Sequence, residues 1–271
     1  MTAEAVREGW SEPRQDRERF HRVAEVDGTI VGSTGLWIDP TSVHLGGYVT
    51  PTHRRRGIGS ALWGWAETTI AELEGIDHIE LGCFREDPDG DRFLASLPGV
   101  EYQRSFLRMR HDAPHEVPKA SFGDGLELYE PADRVLEMLR LRNETFQDHW
   151  NFVPWLEEDL RRSIETGEND PELWWFAAVD GEPAGMVRNQ VRTDDAGIVR
   201  GYLGPIGTRR MFRGRGVARE LLRHAVADLV ARNVASVTLW VDSRNPFEAT
   251  KLYRSHGFIE RGEWRVFRKD L

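Results

Sequence analysis

The chain has 271 residues, 39% of them hydrophobic, and a formal net charge of −9. That length suits one large domain or two ordinary ones, and the acidic balance argues against general nucleic-acid binding, which needs a basic footprint. No run of about 20 apolar residues occurs, so no membrane-spanning helix or membrane partner is expected; Cys83 as the sole cysteine excludes an intramolecular disulfide and suits a reducing, cytoplasmic setting.

In chain order, residues 1–20 are charged and lack the apolar core of a signal peptide. From Glu25, EVDGTIVGSTGLW reads as a strand, an Asp27-Gly28 hairpin turn and a second strand. A further β-like run leads into Arg54-Arg55-Arg56-Gly57-Ile58-Gly59. There an amphipathic helix opens, with Ile58, Ala61, Leu62, Trp65, Thr69 and Leu73 expected on one face. A strand over 79–84 follows, then REDPDGDRFLASLPGV, which contains Phe93. The stretch 111–125 is rich in Pro, Gly and polar residues and reads as an interdomain linker.

The second half opens with a strand over 126–129, a helix near 131–143 with Pro131 in its first turn, and a helical stretch near 154–164. From Ala178, AVDGEPAGMVRNQ repeats the strand, Asp-Gly turn and strand. A strand over about 198–207 leads into Arg213-Gly214-Arg215-Gly216-Val217-Ala218. The helix after it places Ala218, Leu221, Leu222, Ala225 and Leu229 on one face, and a strand over 237–241 follows. Nothing before Phe20 matches the elements that open the second half, so the first domain is expected to be shortened at its start.

The same order of elements thus occurs twice, and the expected domains are 1–112 and 125–271, joined by 113–124. In each half a strand, a small-residue turn and a helix N-terminus present unpaired backbone N–H groups and a positive dipole end to an anion. Glycines let a phosphate approach the backbone closely. A strand–helix–strand unit of this length implies a parallel crossover. A dinucleotide fingerprint is excluded because Leu62 and Arg219 stand where its third glycine is needed, and no Gly-Lys-Ser/Thr of a P-loop occurs.

This order resembles the GNAT superfamily of acyl-CoA N-acyltransferases, whose signature is Gln/Arg-x-x-Gly-x-Gly/Ala. Arg54, Gly57 and Gly59 match it in the first half; Arg213, Gly216 and Ala218 match it in the second. The resemblance covers nearly the whole chain and implies an α/β (α+β) fold. Two tandem domains are expected, each a mixed, mostly antiparallel sheet with one parallel βαβ unit, flanked by helices. It implies acetyl-CoA as co-substrate, no metal, and transfer of its acetyl group to a primary amine of a small molecule or peptide by direct attack. The implied cofactor contacts are Ile206, Gly207, Thr208, Arg213, Gly214, Arg215, Gly216, Val217, Ala218 and Asn245, with Arg54, Gly57 and Gly59 in the first domain. Asn245 and the run Leu252-Tyr253-Arg254-Ser255-His256-Gly257-Phe258 match family elements past the last parallel strand. Asn245 would contact the pantetheine arm, and Tyr253 would protonate the departing thiolate. The first domain has no such Leu-Tyr run, and Phe93 stands roughly where the tyrosine would. It reads as a coenzyme-binding or scaffolding copy.

The tandem arrangement is also similar to mycothiol synthase-like paired-GNAT proteins, which implies the alternative of acetylating a cysteinyl pseudodisaccharide. A non-catalytic acyl-CoA-binding sensor or scaffold is the alternative outside enzymes. The family often places a glutamate on the strand before the signature, but 198–207 contains no acid. Asp148, His149, Asp194 and Asp195 stand as alternative bases, beside ordered water or an amine that arrives neutral. His44 precedes the first signature and is a base candidate there; Cys83 reads as a small core hydrophobe. Of the ten tryptophans, which include Trp150, Trp155, Trp174 and Trp175, most are expected in core packing and some along an acceptor cleft.

Overall fold

The computed structural model describes residues 16–123, 125–194 and 196–271, with the side chain of Arg17 set aside. The described residues form two compact units: those up to Phe106 with 262–271, and those from Leu107 to Arg261. The segment 113–124, read from composition as an interdomain linker, lies with the second unit. Pro114 is buried in a 3-10 turn, and the Ser121 amide donates to Glu220 Oε2 at 2.7 Å. Phe122 packs on the core of the second unit. The expected short start of the first domain falls on residues outside the described set.

The first unit contains α1 (Arg17–Phe20), β1 (His21–Val26), β2 (Thr29–Ile38), β3 (Ser42–Val49), α2 (Ile58–Ile70), β4 (His78–Phe84), α3 (Pro88–Ser96) and the first part of β5 (Val100–His111). β1, β2 and β3 run antiparallel in that order, and β3 lies parallel to β4. Residues 264–270 of the last strand pair antiparallel with β4. The helix between β3 and β4 therefore makes the expected crossover. Its buried face is turned from the expected one: Trp63, Ala66, Thr69 and Ile70 are inside, while Ala61 is exposed. Both sets fit a helical period, and the packing against Leu36, Val43, Ile79 and Leu81 selects the first. Trp65 instead lies under the Arg22 guanidinium, 5.1 Å from its ring centre.

The second unit adds β6 (Leu126–Leu128), α4 (Arg134–Thr145), α5 (Glu157–Glu165), β7 (Trp174–Val179), β8 (Glu182–Thr193), β9 (Val199–Thr208), α6 (Val217–Ala231), β10 (Val237–Asp242) and α7 (Ala249–Ser255); β11 (Ile259–Asp270) ends the chain. β6, β7, β8 and β9 are antiparallel neighbours, and β9 is parallel to β10. α6 covers one face of this sheet with Val217, Leu221, Leu222, Ala225, Val226 and Leu229. α4 and α5 cover the other with Met138, Leu141 and Leu160, against Trp174, Phe176 and Met186. α4 starts after Asp133, whose carboxylate accepts from the Val135 and Leu136 amides.

The repeat extends to backbone detail. Asp27 and Gly28 have φ 48° and 75°; Asp180 and Gly181 have φ 53° and 79°. Both pairs make the left-handed turn that a two-residue hairpin requires. A bulge precedes each turn, at Ala24/Glu25 and at Ala177/Ala178. One difference stands out. β2 and β3 pair in continuous register, whereas β8 and β9 slip between Val187 and Asn189. The extra residue falls in β9, around Gly204-Pro205.

Candidate active site

In the second unit, β9 ends at Thr208, a 3-10 turn covers Arg210–Phe212, and α6 begins at Val217. Between them Gly214 and Gly216 take φ 81° and 84°. Gly216 caps the helix without a side-chain hydrogen bond, so the first-turn amides keep their donors free. The first unit repeats this backbone with Arg55 at φ 63° and Gly57 at φ 83°. Arg55 therefore holds a left-handed conformation that L residues rarely adopt. Each cradle is a concave set of N–H groups at a helix N-terminus, suited to a phosphate.

The signature arginines have intramolecular work. Arg213 Nε donates to the Thr208 carbonyl at 3.3 Å, and its guanidinium stacks 3.9 Å from the centre of the Phe247 ring. Arg54 Nε donates likewise to Val49 at 3.2 Å, and its two terminal nitrogens hold Asp87 at 2.7 and 3.1 Å. Arg215 pairs with Asp180 at 3.1 Å. The motif arginine thus braces the cradle on the end of its own strand.

Ahead of the second cradle, β9 and β10 pair only at Gly201/Val237 and Tyr202/Thr238. Past the bulge the two strands are no longer bonded, which leaves Ile206, Gly207 and Thr208 without a ladder partner on β10. Gly207 is required there, because a Cβ would lie 2.1 Å from Thr145 Oγ1 of α4. Thr208 Oγ1 is buried with no hydrogen-bond partner, which calls for a polar ligand atom. On the β10 side, Asn245 Oδ1 accepts from the Phe247 amide at 2.9 Å, and its NH2 group has no partner among the described residues. Tyr253 on α7 is buried beside Phe258, and its hydroxyl makes no hydrogen bond among the described residues. Burial pushes this phenol up from its ordinary pKa. Free cradle amides, an orphaned threonine hydroxyl and an unbonded phenol in this unit are groups that a phosphorylated thioester such as acetyl-CoA would use.

The base candidates fare unequally. Asp148 is held by Arg210 at 2.8 Å and lies 3.8 Å from Arg213, and the Arg210 hydrogen bond lowers its pKa. Asp194 accepts from the Ile198 and Ala196 amides and from Arg200, which lowers its pKa too. Both are weak bases tied into turns. His149 Nδ1 lies 3.1 Å from the Trp150 carbonyl. Asp195 lies outside the described residues.

In the first unit a cavity of about 810 Å³ sits under the Arg54–Gly59 cradle, lined among others by Tyr48, Phe93 and Trp264. Phe93 faces Gly59, where a Cβ would be 3.6 Å from its ring, so a ring without a hydroxyl occupies this position. Cys83 also lines the cavity, and burial pushes its thiol up to about 11, which removes thiolate chemistry at neutral pH. His44 lies between Asp39 at 2.9 Å and Glu80 at 3.1 Å, whose hydrogen bonds raise its pKa to about 9. It is protonated at neutral pH and is no base there.

Two residues absent from the sequence-based site are Arg142 and Arg188. The signal for Arg188 was a charge at the centre of the apolar strand Ala184-Gly185-Met186-Val187, followed by Asn189 and Gln190. For Arg142 it was a charge next to Met138 and Leu141 on a helix. Among the described residues no helix is long and apolar enough to cross a membrane, and no group of three or more His, Cys, Asp or Glu could hold a metal ion.

The Acetyltransferase (GNAT) family profile matches residues 2–97 and 135–258. The chain is 26% identical to a mycothiol acetyltransferase of Acidothermus cellulolyticus, over 86% of this chain and 79% of the relative. It is 31% identical to a mycothiol acetyltransferase of Mycolicibacterium vanbaalenii, over 90% of this chain and 80% of the relative. Among solved structures, a GCN5-related N-acetyltransferase from Sphaerobacter thermophilus superposes with a TM-score of 0.80 at 23% identity, over 99% of this chain and 85% of that one. A tandem GNAT protein from the clavulanic acid biosynthesis pathway gives 0.69 at 19% identity, over 92% and 82%. These two structures share the fold.

Proposed function

The chain belongs to the acetyltransferase (GNAT) family, and from that premise we propose that its second unit carries catalysis. It is an acyl-CoA-dependent N-acetyltransferase, using acetyl-CoA as the acetyl donor. The acceptor is a primary amine of a small molecule or peptide, and the cell setting is the reducing cytoplasm. The observation that carries the assignment is the buried Tyr253 side chain, whose hydroxyl bonds no described residue, in the unit whose β9 is bulged and splayed, set against Phe93 in the other unit.

The thioester supplies an activated carbonyl whose C–S bond breaks as the new N–C bond forms. The amides of Gly214, Gly216, Val217 and Ala218 hold the diphosphate at the α6 N-terminus, and Thr208 Oγ1 meets one of its oxygens. The Asn245 NH2 group bonds the pantetheine arm. Anchoring so far from the reacting carbon supplies orientation. Tyr253 gives its proton to sulfur as negative charge develops there. Burial keeps the phenol protonated across the physiological range, and the same desolvation raises the basicity of a thiolate expelled beside it. The acceptor nitrogen loses its proton to water, since no described carboxylate on β9 is placed to take it. Gly57, Gly59 and Arg54 shape a second acyl-CoA cradle in the first unit, which binds without turnover.

Calorimetric titration of acetyl-CoA tests the reading. Two sites per chain support it in full; one site, lost on changing Gly216, keeps catalysis in the second unit and overturns binding by the first; absence of binding sinks it. A second reading is favoured by the mycothiol acetyltransferase relatives: the acceptor would then be a cysteinyl pseudodisaccharide. Release of coenzyme A with that acceptor, and not with simpler amines, would select it.

A further inference from the structure

Arg142 of α4 and Arg188 of β8 stack on one indole. Their guanidinium carbons lie 4.5 and 4.7 Å from the centre of the Trp155 ring. The indole is held in place by Asn143, which donates to the Trp155 carbonyl at 3.0 Å and accepts from its amide at 2.9 Å. Arg142 Nη1 donates to Asn143 Oδ1 and to the Val153 carbonyl, and Arg188 Nη1 to Asn169 Oδ1. All of these acceptors are neutral.

The acids of α4 and of the turn after it are committed elsewhere. Glu137 pairs with Arg140, Glu144 with Arg209 and Asp148 with Arg210. Glu168 acts on Arg188 only at longer range. Burial pushes Arg142 down to about 10, with Arg188 adding repulsion, and burial lowers Arg188 as well. Stacking on an aromatic ring recovers only part of what desolvating a cation costs. Arg188 Nε is buried with no partner, and a Cβ on Gly204 would lie 3.4 Å from it. Gly204 is at the β9 bulge, where β9 and β10 part. Two desolvated cations with no carboxylate partner among the described residues therefore stand at the bulge of β9, on the sheet face covered by α4 and α5.

We propose that the acceptor of the second unit is an amine that also carries an anionic group, a carboxylate or a phosphate, held by Arg142 and Arg188 beside Gly204. This rests on the acyl-transfer reading of that unit. A cysteinyl group, whose carboxyl is spent in its linkage, lacks the carboxylate this site asks for.

The test uses the full chain with acetyl-CoA saturating, so that the phosphate cradles are filled. Inorganic phosphate and succinate are titrated, and the thermal midpoint is read for the wild type, Arg142→Gln and Arg188→Gln. The wild type should gain about 2 °C or more; both variants should gain nothing while keeping their response to acetyl-CoA. Arg142→Gln, at the more open position, keeps the test available if Arg188→Gln does not fold. Turnover then separates the anion sources: glucosamine 6-phosphate against glucosamine, and an amino acid against its amide. The charged member of one pair should have at least a tenfold higher kcat/KM, an advantage lost in the variants. An equal anion response in wild type and variants, or none in the wild type, overturns the proposal while leaving acetyl transfer intact. A chain that does not respond to acetyl-CoA at all would instead undo the acyl-transfer reading, with the arginine site still read from the difference between wild type and variants.

Discussion

Arg213 Nε lies 3.3 Å from the carbonyl oxygen of Thr208, so the signature arginine is bonded to the strand end from which its own loop departs. Arg54 and Val49 repeat the bond at 3.2 Å. A charge-only role for Arg213 would be met by lysine, but lysine lacks the Nε–H that makes this brace. Arg213→Lys should raise the Kd for acetyl-CoA about fivefold to tenfold, roughly 1 kcal/mol for one hydrogen bond. Calorimetry checks it, and an unchanged Kd would return the arginine to a purely electrostatic role.

The two cradles differ at one position in a way that stability can read. Gly214 and Arg55 occupy equivalent places, with φ 81° and 63°. A non-glycine residue there costs about 1–2 kcal/mol. Arg55→Gly should therefore stabilise the chain by up to about 1 kcal/mol, once the greater freedom of glycine in the unfolded state is subtracted. Gly216→Ala, at φ 84° with space around a Cβ, should destabilise by about 1–2 kcal/mol through conformation alone. Urea midpoints at constant m-value measure both.

Tyr253→Phe removes a hydroxyl that bonds no described residue. Stability and acetyl-CoA affinity should hold, and kcat should fall by about 10²- to 10⁴-fold, the range for a lost general acid. Unchanged turnover would mean that the thiolate leaves without this proton.

His44 makes a pH prediction. Its pKa is raised to about 9 by Asp39 and Glu80, above the unfolded value of about 6.5. The protonated ring is thus favoured by folding. Its contribution is fully present below about pH 6.5 and is lost as pH rises through 9. The ring is about half exposed, so solvent screens the effect. The drop in unfolding free energy between pH 6.5 and 9.5 should be smaller in His44→Gln than in the wild type. Parallel curves for the two proteins would remove the ion pair from the account.

Much of this architecture was legible before any coordinates. The Asp27-Gly28 and Asp180-Gly181 turns, the two glycine-bearing cradles and the strands around them appear where the residues predicted them. Each depends on a few consecutive residues: a positive φ, a helix start, an alternation. The helix faces were less secure. Two apolar stripes on α2 satisfied the same period, and contact with Leu36 and Ile79 chose between them.

By itself the sequence determined the duplication, the family and the place of each glycine turn that opens a helix, because those signals are local and repeat. Tertiary structure alone decided that residues 262–271 pack with the first unit and that 113–124 pack within the second. It alone turned the signature arginines into braces. It also brought Arg142 and Arg188 onto one tryptophan from an α-helix and a β-strand. Desolvation and stacking act between residues far apart in the chain, and no spacing rule within either segment encodes them.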